Sequence, residues 1–95
     1  MIRNVVVGRL KADAEPGLIE QGLAGIVGLA AEGRLDVKVG RDAGLRDGNW
    51  DYAITADFVD AEAYRRYDED EEHNRLRREC FGPASAEIVR LQFEF

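Results

Sequence analysis

The order of periodic segments in this sequence predicts an α+β sandwich, in which two helices cover one face of an antiparallel four-stranded sheet. Stretches with the period of two that is typical of strands open the chain, lie in its middle and close it. Two stretches with helical spacing separate them, so the order of elements is β-α-β-β-α-β. This order is that of ferredoxin-like folds. The length of 95 residues suits one domain, and we expect residues 1–95 to form it.

The first strand and the first helix are predicted from their apolar spacing. Ile2 to Leu10 is rich in valine and alternates, with Asn4 as the polar residue on an otherwise apolar face. A buried amide needs hydrogen-bond partners, so Asn4 either fixes the local backbone or faces a pocket. Pro16 suits the first turn of a helix, and Gly33 is expected to end it. The apolar stripe of this helix consists of Ile19, Leu23, Ile26, Val27 and Ala30.

The centre of the chain is predicted to contain two strands and the start of a second helix. Residues 35–39 alternate apolar and charged side chains, and a glycine-rich loop separates them from the strand Tyr52–Phe58. Asp60 then stands where a helix N-cap belongs. Two aromatic residues follow at helical spacing on one face of this helix, Tyr64 and Tyr67.

An acidic run, Asp68–Glu72, precedes the only histidine of the chain, His73. Acids complement the positive end of a helix dipole, so the run is interpreted as a solvated helix start. The ligand spacing and the glycine of a calcium loop are absent. His73 shares a helical stripe with Leu76 and Cys80, which should face the sheet. Gly82–Pro83 is expected to stop the helix.

The last strand is predicted from Ala86 to Phe95. Its apolar face contains Val89, Leu91, Phe93 and Phe95, and its polar face contains Arg90, Gln92 and Glu94. Because the helices cover only one side of the sheet, the other side should be mixed in character. Its candidate residues are Lys38, Thr55, Arg90 and Gln92. Such a face needs a cover, so we expect a second copy of the chain to bind there and form a homodimer.

Composition excludes several classes of function. A formal net charge of −6 disfavours binding to nucleic acid. No apolar run is long enough to span a membrane, and no signal-peptide pattern follows the first residues. One cysteine cannot form an intrachain disulfide, and one cysteine with one histidine cannot build a usual zinc site. We therefore expect a cytoplasmic protein without a metal or other cofactor.

Three segments resemble the stress-responsive A/B barrel family, also called the Dabb or dimeric α+β barrel family. They are MIRNVVVGRLK at the start, VKVGRD at the end of the second strand, and DYAITADFVDAEAYRRYDEDEEHNRL; the closing EIVRLQFEF also fits. The resemblance covers nearly the whole chain. It implies a ferredoxin-like protomer whose sheet pairs with that of a second subunit to make a barrel.

The resemblance also implies roles for particular residues, because the family includes the plant cyclase that forms olivetolic acid. His73 matches the general base of that cyclase, at the start of the second half of a split helix, and Tyr67 matches a tyrosine that holds the substrate. Asn4 stands where the family often has a histidine, and Asp70–Glu71 stands where a His-Pro pair is frequent. Two further residues match aromatic pocket positions of the cyclase, Leu23 and Ile26.

Chemistry alone leaves more than one interpretation of these residues. His73 is the one side chain suited to proton transfer near neutral pH, but a helix-start histidine is often purely structural. On a straight helix Tyr67 and His73 would lie on different faces, so they converge only if the chain bends between them. Tyr64 and Tyr67 suit either the core or a pocket. Three hypotheses follow. The first is an enzyme that acts on a carbonyl or polyketide-like substrate, in which His73 is the base, Tyr67 positions the substrate, and Asn4 and Tyr64 bind it. The second is a dimeric module that binds an apolar metabolite, and the third is a stress-protective dimer without a ligand.

Overall fold

The computed structural model describes residues 1–95 and confirms the ferredoxin-like α+β fold with its antiparallel four-stranded sheet. The strands and helices, in chain order, are β1 (Ile2–Leu10), α1 (Leu18–Gly28), β2 (Arg34–Arg41), β3 (Tyr52–Phe58), α2 (Ala61–Glu69), α3 (Glu71–Leu76) and β4 (Ser85–Glu94). A π-helical segment, Arg77–Phe81, and a short helical turn, Gly82–Ala84, join α3 to β4. No helix combines the length and the hydrophobicity that crossing a bilayer requires.

The register of the sheet decides which residues lie under the helices. The strand order is β2-β3-β1-β4, so β1 pairs with both β3 and β4. Asn4 lies opposite Gln92, and Val6 lies opposite Arg90. Residues directly opposite each other in an antiparallel pair project to the same face of the sheet. Asn4 is buried under the helices, so Gln92 and Arg90 project to the helix side as well.

The prediction that Arg90 and Gln92 lie on the open face is therefore wrong. Alternation along β4 correctly divides its side chains into two sets. The pairing with β1, however, places the polar set on the helix side and the apolar set on the open face, the reverse of the prediction. The open face carries the apolar set instead, and Leu91 is 63% exposed there. Lys38 and Thr55 do lie on that face, in one row with Val5 and Leu91: Lys38 pairs with Thr55, Thr55 with Val5, and Val5 with Leu91.

Helix α1 is shorter than its apolar spacing predicts, since it ends at Gly28 and not at Gly33. The Arg34 guanidinium donates hydrogen bonds to the carbonyl oxygens of Ile26, Val27 and Leu29 at 2.8, 3.2 and 2.9 Å. These bonds satisfy carbonyls that a helix end leaves without partners. Gly33 lies beyond them in a turn with a positive φ of 84°. Two residues of the predicted stripe are exposed: Val27, near the end of the helix, and Ala30, beyond it.

The core lies between the sheet and the helices in two clusters. Ile19, Leu23 and Ile26 of α1 pack with Leu76, Cys80 and residues of β3 in the larger one. Phe58 is fully buried in the smaller cluster, where it contacts Tyr67 and Tyr64. Cys80 is buried, as its position on the His73 stripe predicts. The clusters hold α1 and the helices after β3 side by side over the sheet.

Gly8 is required by the close approach of a tyrosine ring. A Cβ at this position would lie 2.0 to 2.3 Å from the ring and hydroxyl atoms of Tyr52, whose hydroxyl is hydrogen-bonded to the Ser85 hydroxyl at 2.7 Å. Because Tyr52 is buried and held, Gly8→Ala is expected to lower the free energy of unfolding by about 1–3 kcal/mol, the usual range for overpacking. Urea denaturation measures this. Gly28→Ala is the control, since a Cβ there meets open space, and an equal midpoint for both variants would contradict the prediction.

Candidate functional site

A break between α2 and α3 brings Tyr67 and His73 together. Asp70 occupies the break with an extended backbone, φ −61° and ψ 131°, and its carboxylate accepts a hydrogen bond of 3.0 Å from the His73 backbone N–H. This is an N-cap for the new helix. The ring centroids of Tyr67 and His73 lie 4.1 Å apart with an interplanar angle of 31°. The chain thus bends within the acidic run, and the two rings that one straight helix would separate are stacked.

The stacked rings border a small cavity between the helices and the sheet. Its volume is about 40 Å³, enough for a few water molecules. Of the residues that the sequence singled out, Asn4, Ile26, Tyr64, Tyr67 and His73 line it. Leu23 lies in the larger core cluster and does not line the cavity.

The imidazole of His73 is buried and partly without partners. The residue is 7% exposed, and its Nδ1 atom has no hydrogen-bond partner. Burial lowers the pKa of His73 from its ordinary value of 6.5 to about 4, and the positive charge of Arg77 acts in the same direction. The Asp68 carboxylate, the backbone of Asp68 and the Asp70 carboxylate, in that order, oppose this shift more weakly. The imidazole is therefore neutral at physiological pH and a weaker base than an ordinary histidine.

The low pKa of His73 predicts an acid-sensitive fold. The unfolded chain binds a proton at the ordinary pKa of 6.5 and the folded one only near 4. The stabilisation from the neutral imidazole is therefore complete above pH 6.5 and is lost as the pH falls towards 4. Since one pKa unit corresponds to about 1.4 kcal/mol, the free energy of unfolding should fall by about 2 kcal/mol between pH 7 and about pH 4.5.

Urea titrations at a series of pH values measure this dependence. His73 is the only histidine, so His73→Gln should flatten the curve over that range. The acids with lowered pKa values, Asp57 and Glu72, lose their ion pairs only at lower pH, because their ordinary pKa values are 3.8 and 4.5. A wild-type curve as flat as that of the variant would contradict the burial of a neutral imidazole.

The tyrosines of the site differ in what holds them. Tyr67 is buried between His73 and Phe58, and burial raises its pKa, while the positive charge of Arg34 opposes the rise. Tyr64 is half-buried and sets its ring edge-on to Phe58 at a centroid distance of 5.6 Å. Burial raises its pKa as well, with the charge of Asp68 as a second cause. Both phenols therefore stay protonated and are hydrogen-bond donors at neutral pH.

Asn4 is held by a partner that the sequence did not assign to it. It is 5% exposed, and its Oδ1 atom accepts a hydrogen bond of 2.8 Å from the side-chain amide of Gln92. Because Oδ1 is engaged, the NH₂ group of Asn4 is the part that remains free to donate. A donor on β1 and a neutral imidazole on α3 thus border the same cavity.

Two arginines of the site were missed by the sequence analysis, Arg77 and Arg90. Arg77, the first residue of the π-helical segment, donates hydrogen bonds to Asp68 at 2.6 Å and to Asn74 at 3.0 Å, and it lines the cavity. Arg90 lines the cavity from β4. The signal that could have identified Arg90 is the buried amide of Asn4. A polar side chain on the helix side of β1 needs a polar neighbour on the adjacent strand, and Gln92 of β4 is that neighbour. Arg90 lies two residues from Gln92 and therefore projects to the same side.

No group of three or more His, Cys, Asp or Glu side chains is arranged to hold a metal ion. The acidic residues near the site are engaged otherwise, with Asp70 capping α3 and Asp68 bound to Arg77. The functional groups that line the site are an imidazole, phenols, an amide and guanidinium groups.

Comparisons with known proteins agree with this fold. The model of the Stress Responsive A/B Barrel Domain family matches residues 2–95. A dimeric ferredoxin-like protein of unknown function from Thermobifida fusca is 27% identical, with a TM-score of 0.89 over 99% of this chain and 90% of that one. A Dabb family protein from Mesorhizobium loti is 20% identical, with a TM-score of 0.78 over 99% and 95% of the two chains. A hydroxynitrile lyase from Passiflora edulis is 21% identical, with a TM-score of 0.81 over 97% and 90%. None of the curated proteins matches.

Proposed function

The chain belongs to the stress-responsive A/B barrel domain family, and from that premise we propose that it is a homodimeric enzyme in which His73 removes a proton next to a carbonyl group of a small substrate. The observation that carries this proposal is the buried, neutral imidazole with an unpartnered Nδ1 at the edge of a cavity. A buried polar atom without a partner is unusual in proteins and needs an explanation. A substrate that supplies the missing partner is one.

The proposed step assigns a task to each neighbour of His73. The C–H bond next to the carbonyl breaks, its proton passes to the imidazole, and its electron pair forms the C=C bond of an enolate. The negative charge of the enolate rests on the former carbonyl oxygen, to which the Asn4 amide donates a hydrogen bond. Tyr67 holds the imidazole by ring stacking, and Tyr64 and Ile26 shape the space for the substrate. The step needs no metal and no redox cofactor.

The homodimer is supported by the open face of the sheet. Val89, Leu91 and Phe93 are exposed there, next to Val5 and Val7 of β1. An exposed apolar patch of this kind marks an interaction surface. The related proteins from Thermobifida fusca and two other bacteria are dimers with the same fold. We propose that a second copy covers this face, so that two sheets close one barrel.

Enzymes occur on this fold, since one structural relative is a hydroxynitrile lyase. A second candidate function is a non-catalytic dimer that binds a metabolite or protects against stress. The observation in its favour is the small size of the cavity, about 40 Å³, with two stacked rings at its edge. In that case the stacked histidine is a packing group. The two functions differ in one measurable property, which is the transfer of a proton from bound substrate.

Hydrogen–deuterium exchange tests the proposal. The protein is incubated in deuterium oxide with a panel of small ketones, among them acetone, 4-oxopentanoate and methyl 4-oxopentanoate, and loss of the signals from protons next to the carbonyl is followed by NMR. Catalysed exchange of at least one ketone, absent in heat-denatured protein, is the expected result. Binding of a ketone without any accelerated exchange would favour the non-catalytic module.

A further inference from the structure

We propose that the substrate carries a carboxylate, and that Arg90 together with Arg77 binds it at the edge of the cavity. This inference rests on the proposed function, because it concerns the same cavity. It adds the chemical class of the substrate, which is a small oxo acid: a carbonyl group near His73 and Asn4, and a carboxylate at the two arginines.

The charge of the cavity points to an anion. The whole chain has 19 acidic and 13 basic residues, yet the cavity is lined by two arginines and by no aspartate or glutamate. Asp68 pairs with Arg77 from outside this lining, so Arg90 supplies the unpaired positive charge. A concave site with one sign of charge concentrates ligands of the opposite sign. The net charge of the protein is −6, so the electrostatic potential at such a site has the opposite sign to that expected from the chain as a whole. The lining therefore selects anions that the rest of the surface repels.

Arg90 has no acidic partner of its own. It belongs to none of the ion pairs in the structure. Its side chain projects from the helix side of β4, opposite Val6 and two residues from Gln92, and its positive charge acts on the phenols of Tyr52 and Tyr64. The guanidinium is thus at the cavity and free to bind a ligand.

Arg77 complements Arg90 from the opposite layer. Its two hydrogen bonds, to Asp68 and to Asn74, fix the direction of its guanidinium. A group held in advance loses little entropy when a ligand binds. The site thus combines an arginine without an ion pair, from the sheet, with an arginine held by hydrogen bonds, from the helical layer. A guanidinium binds a carboxylate through two parallel hydrogen bonds, which favours that group as the ligand of Arg90 at the exposed edge of the cavity.

The position of the two arginines also couples binding to the base. The charged groups that act on His73 are Asp68 and Asp70 from its own side and Arg77 from the π-helical segment, while Asn4 and Arg90 line the same cavity from the sheet. The positive charge of Arg77 lowers the pKa of His73, so a bound carboxylate that neutralises this charge would raise it again. A substrate of this class would thus make its own base stronger, whereas a neutral ketone would not.

NMR titrations of the full-length protein with 4-oxopentanoate and with its methyl ester test the inference. Arg90→Gln should weaken binding of the acid by about tenfold, the usual contribution of a hydrogen bond to a charged group, and leave binding of the ester unchanged. Arg46→Gln removes the same charge from a loop outside the cavity and is the matched control. The pKa of His73, followed through its ring signals, should rise on addition of the acid and stay constant with the ester.

The outcomes separate this inference from the proposed function. Equal binding of acid and ester, with no effect of Arg90→Gln, would overturn the carboxylate while leaving the proton transfer intact. Tighter binding of inorganic phosphate than of 4-oxopentanoate would overturn it in favour of a phosphate-bearing ligand. No response to either compound, together with no exchange in the ketone panel, would overturn both. The Arg90→Gln variant should unfold at the wild-type temperature, because Arg90 takes part in no ion pair. A loss of binding in this variant can therefore be attributed to the missing guanidinium and not to unfolding.

Discussion

His73→Gln is expected to slow the exchange of protons next to the carbonyl by about a hundredfold or more, because a positioned general base contributes about 10²–10⁴ in rate. Glutamine retains a polar side chain of similar reach but does not accept a proton near neutral pH. The wild-type imidazole is uncharged at that pH, so the substitution removes no charge from the folded protein. The rate of deuterium incorporation into the responsive ketone, measured at equal protein concentration, gives the effect.

Tyr67→Phe is the matched variant for this experiment. It keeps a ring at 4.1 Å from the imidazole and removes only the hydroxyl, so the stacking that holds His73 should persist. Exchange should therefore fall much less than in His73→Gln. Undiminished exchange in His73→Gln, with wild-type circular dichroism, would remove the histidine from the mechanism and leave the cavity as a binding site.

Leu91→Asp is expected to convert the proposed dimer into a monomer. Leu91 is 63% exposed on the open face of the sheet, where it lies in the edge strand β4 and pairs with Val5 of β1. An unpaired carboxylate buried in an apolar interface costs several kcal/mol, and each about 1.4 kcal/mol is a factor of ten in the dissociation constant. The dissociation constant should therefore rise by about a hundredfold or more. Sedimentation or light scattering at micromolar concentration measures the change.

Leu45→Asp provides the control for this substitution. Leu45 is 89% exposed in the loop between β2 and β3, so the same change of side chain there should leave the dimer intact. The monomer produced by Leu91→Asp should still show the far-ultraviolet circular dichroism of the folded protomer, because Leu91 is not part of its core. A wild-type protein that is already monomeric would overturn the proposed barrel.

The candidate site was partly accessible to sequence reasoning. His73 was found because it is the only histidine, and Asn4 because it interrupts an apolar strand face. The proximity of Tyr67 and His73 was expected only from the family resemblance, which implies a split helix, since helical spacing alone puts residues six apart on different faces. It depends on Asp70, whose extended backbone ends one helix while its side chain caps the next. The end of α1 was missed for a similar reason, because Arg34 caps it from outside the helix.

By itself the sequence determined the order of strands and helices, the two sets of side chains on each strand and the identity of the candidate base. These follow from local periodicity and from residue chemistry, which any short segment carries within itself. Only the tertiary structure decided which set of β4 side chains faces the helices, and hence that Arg90 joins the cavity while Leu91 faces outward. A period of two says which residues share a face, but the neighbouring strand and the layer packed on it decide which face is buried.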